Sequence, residues 1–314
     1  MRIAYIECFA GISGDMTVGA LLDTGVSEDL LHRTVAALNI GAELCIRRVD
    51  RSGISATKVD VLVNGKLADR VDDSDRVHPH SHTHSHAHDH NHSHTHSHAH
   101  DHDHRHNHRP ADYRERRSLS AIKNIFRKAE IPASAREMAI RTFDLLGEAE
   151  AGVHNVPIES IHFHEVGAVD TIVDIVCASV ACHALGVDRF ICSPLNVGGG
   201  TVKCAHGEFP VPAPATLVLL KGVPIYSSGV QSELVTPTGA ALVRALDCSF
   251  SAFPSMNIET VGYGAGSREP GGRPSVLRIS VGELSNTAES SMDDNSHPRM
   301  AVPGQTPSPT LQVV

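Results

Sequence analysis

The 314-residue chain contains no tryptophan, and aromatic residues make up only 4% of it. Large rings cannot dominate its core, so Ala, Val, Leu and Ile must fill it. That suits an α/β or α+β domain, with a mixed sheet and several packed helices. Hydrophobic residues reach 41%, enough to build such a core. No long Lys/Arg cluster occurs and the formal net charge is −9, which argues against a nucleic-acid partner. The seven cysteines (Cys8, Cys45, Cys177, Cys182, Cys192, Cys204 and Cys248) include no C-x-x-C pair. Their odd number and irregular spacing argue against a disulfide framework and favour a reducing cytoplasm. The N-terminus shows no signal-peptide pattern. The longest apolar run, near residues 172–181, is interrupted by Asp174 and is too short to cross a bilayer, so no membrane partner is expected.

Histidine is the residue in excess, with 23 copies. Because of them the sign of the net charge can reverse below about pH 6.5. Sixteen fall on consecutive even-numbered positions: His78, His80, His82, His84, His86, His88, His90, His92, His94, His96, His98, His100, His102, His104, His106 and His108. The spacers are mostly Ser, Thr, Ala, Asp, Asn and Arg. Such a segment has almost nothing apolar to bury, so residues 71–110 are expected to be a disordered insertion that binds several divalent ions. The bland alternative is an inert linker. Imidazole alone does not select nickel, since the usual affinity order favours copper.

Residues 3–9 alternate as a strand, and a tight turn, Ala10-Gly11-Ile12-Ser13-Gly14-Asp15, leads into a helix over 16–23. Strand, glycine turn and helix start aim free backbone N–H groups at an anion, with Gly11, Ser13 and Gly14 as the candidate phosphate contacts. Asp15 would repel a phosphate. It makes more sense as a metal ligand, a base or a residue favoured by the helix dipole. The competing reading is a plain turn capped by Ser13. A second turn of this kind spans 233–240, where Thr236 can cap a helix and Pro237 suits its first turn. Thr236, Thr238 and Gly239 are the candidates there. Further helices are expected over 27–38, 118–129, 133–151, 168–185 and 215–220. Strands are expected over 44–49, 57–63, 189–192 and 275–281, and 261–266 reads as strand plus turn. Pro210 to Pro214 reads as one stiff extended segment.

The densest chemistry is His162-Phe163-His164-Glu165. If the backbone is extended there, both imidazoles leave from one face. Imidazole with carboxylate suits a borderline divalent ion such as nickel, zinc or cobalt, with His162, His164 and Glu165 as ligands. The same groups could act as a general base, so Asp15, His164 and Glu165 share the catalytic candidacy. Hydrogen-bonded structural histidines are the competing reading. Asp170 and Asp174 lie one turn apart in the apolar helix that follows. His206 is a further candidate ligand, in a loop rich in Gly and Pro.

Together these motifs carry a resemblance. E-C-F-A-G-I-S-G-D-M (7–16), the internal His-rich insertion, H-F-H-E-V-G-A-V-D (162–170), N-V-G-G-G (196–200), H-G-E-F-P-V-P-A-P-A (206–215) and L-V-T-P-T-G-A (234–240) occur in the order found in the LarC nickel-insertion proteins. The chain resembles that family over about residues 1–283. The resemblance implies insertion of Ni(2+) into pyridinium-3,5-bisthiocarboxylic acid mononucleotide. The product would be the nickel-pincer cofactor of lactate racemase-type enzymes, whose apoenzyme is then a partner. It also implies CTP hydrolysis, linked in similar full-length proteins to a second module. Residues 284–314 read as a low-complexity tail, so the chain is expected to carry the insertion activity or only its N-terminal half; CTP hydrolysis is not expected of this chain alone, and a C-terminal LarC module in trans is a candidate partner. Residues 1–70 and 111–283 are expected to form one globular module. Two other readings compete: a nickel store or chaperone acting mainly through the His tract, and a nucleotide hydrolase using the turn at 10–15.

Overall fold

The computed structural model describes residues 1–68, 117–161, 163, 168–204, 207–267 and 274–285. The first half of the chain supplies β1 (Arg2–Glu7), α1 (Gly14–Asp23), α2 (Glu28–Leu38), β2 (Ala42–Arg51), β3 (Ile54–Val63), β4 (Lys66–Leu67), α3 (Leu119–Lys128) and α4 (Ala133–His154). The second half supplies α5 (Val169–Leu185), β5 (Arg189–Cys192), β6 (Leu195–Asn196), β7 (Thr201–Cys204), β8 (Gly207–Pro210), α6 (Pro214–Leu219), β9 (Ile225–Tyr226), α7 (Pro237–Ala245), β10 (Ser249–Phe250), β11 (Met256–Ala265) and β12 (Val276–Leu284).

The main sheet is mixed, in the order β10-β5-β1-β12-β11-β3-β2, with β4 also paired to β3. β1 runs parallel to β5 and antiparallel to β12, so the first and last strands of this sequence region lie at its centre. The mixed α/β class expected from composition is thus the class found. Helix α1 lies against β11 and β3, α5 packs on α1, and α4 packs on α5. Being covered on both sides, α5 is buried over most of its length. Gly264 is needed for this layering: a β-carbon there would lie 1.8 Å from the Met16 carbonyl oxygen of α1.

Helix ends follow local chemistry. The Ser27 and Ser118 hydroxyls accept from Leu30 N–H (3.4 Å) and Ala121 N–H (3.3 Å), capping α2 and α3. Helix α4 does not stop near Gly152 as expected but continues to His154. Asn155 ends it in the left-handed region (φ 51°), a conformation that asparagine tolerates better than most residues. Along its length Phe143 and Leu146 are buried, whereas Met138, Ile140 and Leu145 are only partly so. The glycine-rich 261–266 stretch is the end of the ten-residue strand β11 rather than a short strand and turn. The last strand runs on to Leu284. The 210–214 stretch is not one extended unit: β8 ends at Pro210, the Val211–Pro212 bond is cis, and α6 begins at Pro214.

Candidate functional site

Two turns that are 220 residues apart in sequence meet at one place. Ile12 N–H donates to the Leu234 carbonyl (2.9 Å) and Thr236 N–H donates to the Ile12 carbonyl (3.1 Å). This bridge sets the starts of α1 and α7 side by side, and both open onto a cleft of about 510 Å³. Ser13, Gly14, Asp15, Thr236 and Thr238 line that cleft. The two helix starts that the sequence offers as separate anion sites therefore share one space. Gly11 and Gly239 do not line it. A β-carbon on Gly11 would lie 1.9 Å from the Leu234 carbonyl oxygen, and one on Gly239 would lie 2.3 Å from that of Ile12. Their missing side chains make room for the opposing backbone rather than for a ligand. The space beside Gly14 is taken by the Asp174 carboxylate.

Thr236 caps α7, accepting from Gly239 N–H at 3.2 Å. Ser13 occupies the cap position of α1, but its hydroxyl donates to the Asp15 carboxylate instead of capping. Asp15 in turn accepts from Lys58 Nζ (2.6 Å) and from Ser267 Oγ (3.3 Å). The Lys58 side chain is 3% exposed, and its ammonium also reaches Asp60 at 3.2 Å and the Val59 carbonyl at 3.0 Å. Burial disfavours the charged form of Lys58. Asp15, and after it Asp60, outweigh that and hold its pKa above the ordinary lysine value.

Lys58 is the residue the motif reading overlooked. Its signal is present: Lys58 and Asp60 are two apart in a strand, so opposite charges share one face amid Val59, Val61 and Val63. Asn196 was also passed over inside its glycine loop. Buried at 2% exposure, it donates to the Phe9 carbonyl (2.7 Å) and accepts from Gly198 N–H (3.3 Å) and Ser228 N–H (3.2 Å). It ties the segments at Phe9, Gly198 and Ser228 together.

Asp170 and Asp174 both line the cleft from the first turns of α5. With Asp15, Asp60 and Glu233 they give it five carboxylates against the one ammonium of Lys58. No histidine or cysteine lines it among the described residues. His162, His164, Glu165, His206 and the tract from His78 to His108 lie outside the described residues. Of the H-F-H-E cluster only Phe163 is described. It is buried, with its ring 5.9 Å from that of Phe143. Among the described residues no group of three or more His, Cys, Asp or Glu side chains is placed to hold a metal, all the cysteines are free, and no helix is long and apolar enough to cross a membrane.

Fold and cleft together define a mixed α/β protein with an acidic cleft at two adjoining helix starts. The chain belongs to the nickel insertion protein family, whose model matches residues 4–301. It is 38% identical over 284 residues to a Geobacillus kaustophilus protein named pyridinium-3,5-bisthiocarboxylic acid mononucleotide nickel insertion protein. A Desulfitobacterium hafniense protein of the same name is 42% identical over 288 residues. These alignments cover 90% and 91% of this chain but 60% of each relative, so the chain spans about three-fifths of the length of the curated relatives it matches. A Gloeothece citriformis protein named putative nickel insertion protein is 39% identical over 292 residues. No solved structure matches the chain.

Proposed function

We propose that this chain inserts nickel into pyridinium-3,5-bisthiocarboxylic acid mononucleotide, with the cleft at the starts of α1 and α7 as the nucleotide's seat. The observation that carries this reading is the 38–42% identity to proteins named for that reaction, over nine-tenths of the chain. The chemistry of the residues supports it. The positive end of a helix dipole suits the phosphate of a mononucleotide, and two such helix starts, of α1 and α7, open onto this cleft; at α7 Pro237 has no N–H and that of Gly239 is taken by Thr236. Nickel, the cargo, needs ligands that release it to sulfur, and the imidazoles and carboxylate of His162, His164 and Glu165 have that character. A nickel–carbon bond displaces a ring proton, which passes to a base among Asp15, His164 and Glu165. The His tract serves to concentrate the metal for this step.

The test is an anaerobic assay with nickel sulfate, the mononucleotide and CTP, followed by absorbance and mass spectrometry. The wild-type chain is expected to form the nickel-bearing product. His162→Ala is expected to raise the nickel concentration needed for half-maximal rate by about tenfold or more, as loss of a ligand does. A wild-type chain that leaves the mononucleotide unchanged, both alone and with the C-terminal module of a full-length relative added, overturns the reading.

A further inference from the structure

We propose that Lys58 is a positioning residue for this reaction: it fixes the Asp15 carboxylate in place on the cleft wall, where it seats the cationic ring of the substrate. The inference rests on the functional reading above and assigns a task within it.

The geometry argues for an indirect role. An ammonium has three protons to donate. Those of Lys58 go to Asp15 (2.6 Å), Asp60 (3.2 Å) and the Val59 carbonyl (3.0 Å). At 3% exposure, with all three protons taken, Lys58 has none left for a ligand. Asp15 differs: its side chain is 20% exposed and lines the cleft. Whatever Lys58 does for a ligand, it does through Asp15.

A purely structural purpose explains the lysine poorly. An apolar side chain of similar length would fill the same space without the cost of desolvating an ammonium. What only a cation can do there is bridge two carboxylates from neighbouring elements, Asp15 of α1 at 2.6 Å and Asp60 of β3 at 3.2 Å. The trio carries a net charge of about −1 with its position set by hydrogen bonds, and the remaining lining carboxylates add to it.

Asp15 is also held against rotation. Lys58 and Ser267 bind one of its oxygens and Ser13 binds the other. With most of its acceptor sites occupied, the carboxylate is built for one fixed contact rather than for moving a proton. The relatives' named substrate supplies a fitting partner, because a pyridinium ring bears a fixed positive charge at every pH. Under this assignment, proton removal falls to His164 or Glu165.

The test uses the 314-residue chain in the same insertion assay, with Lys58→Met, Lys58→Arg, Asp15→Asn and the double variant Lys58→Met/Asp15→Asn. Circular dichroism and a thermal melt confirm folding. Lys58→Met is expected to raise KM for the mononucleotide about tenfold while kcat stays within about threefold, the loss of one charge-assisted contact. Lys58→Arg should recover most of that loss, and the double variant should be no worse than Asp15→Asn. A folded Lys58→Met with unchanged KM overturns the proposal, and so do effects of the two substitutions that multiply. If Lys58→Met does not fold, Lys58→Arg decides. A KM within about threefold of wild type supports the proposal, because a second cation replaces the first; a KM raised as far as in Asp15→Asn overturns it. A wild-type chain that makes no product, both alone and with that C-terminal module added, overturns the functional reading and this inference with it, whereas a working wild type beside an unaffected variant overturns this inference alone.

Discussion

Under the proposed function, the histidine tract and the cleft divide two tasks that nickel insertion has to combine. From position 78 to 108 the chain offers sixteen imidazoles, each separated from the next by one small, polar or charged residue or a proline. The cleft has no imidazole among its described lining residues. It presents five carboxylates, one ammonium and two helix starts. The tract is repetitive, so no position in it is chemically distinguished from its neighbours. In the cleft the Asp15 charge is individually placed, by Ser13, Ser267 and Lys58, and the Ile12–Val235 bridge joins the two turns that carry the helix starts. Repetition suits gathering an ion, and singular placement suits orienting a substrate. The difference teaches that histidine content, the loudest feature of the sequence, need not mark where the chemistry is organised.

The largest effect expected from sharpening this contrast is on stability. Lys58→Met strands two carboxylates beside a buried position, and removing one partner of a buried pair costs about 3–5 kcal/mol. Denaturant unfolding measures it. Nickel uptake by the tract in the folded variant should be unchanged, since no histidine is touched. The pH dependence has a definite sign. The folded-state pKa of Lys58 lies above its unfolded value, so its contribution is complete below about pH 10.4. It is lost only as the pH rises through the higher folded value. The wild-type advantage over Lys58→Met should therefore be level from pH 7 to 9 and shrink only in stronger alkali.

A smaller effect separates the cleft turn from an ordinary one. Gly11 and Gly53 share the same φ of +87°. Around Gly53, in the β2–β3 hairpin, nothing lies within 4 Å of an added β-carbon, whereas at Gly11 the Leu234 backbone is already there. Gly53→Ala should cost about 1 kcal/mol from backbone strain alone, and Gly11→Ala about 3 kcal/mol because two paired loops must part. Equal costs would mean that the bridge between the turns holds little together.

Much of the fold could be read in the sequence, because the signals were local. The helices expected over 27–38 and 118–129 form as α2 and α3, and the strand expected over 57–63 lies within β3. The end of α4 was misplaced because Gly152 looked like a stop, while the residue able to turn left-handed was Asn155. For the site, the two turns were legible as separate helix starts but their union was not. The pairing of Ile12 with Val235 is a long-range backbone contact, and no spacing rule encodes it. Lys58 was hidden for a related reason. Its partner Asp15 is 43 residues away, and a lysine in a strand ordinarily marks a solvated face. Asp170 and Asp174 were noticed for being charged in an apolar helix, and that misfit does bring them to the cleft.

The account stands on the claim that the folded part of the chain, not the tract, organises nickel insertion. The direct measurement is the anaerobic insertion assay on the intact chain and on a chain lacking residues 78–108, both at saturating nickel. The account predicts product from both, at rates within about threefold of each other, with the shortened chain needing more nickel to reach its maximum. Loss of product from the shortened chain at saturating nickel, with its fold intact, would contradict it.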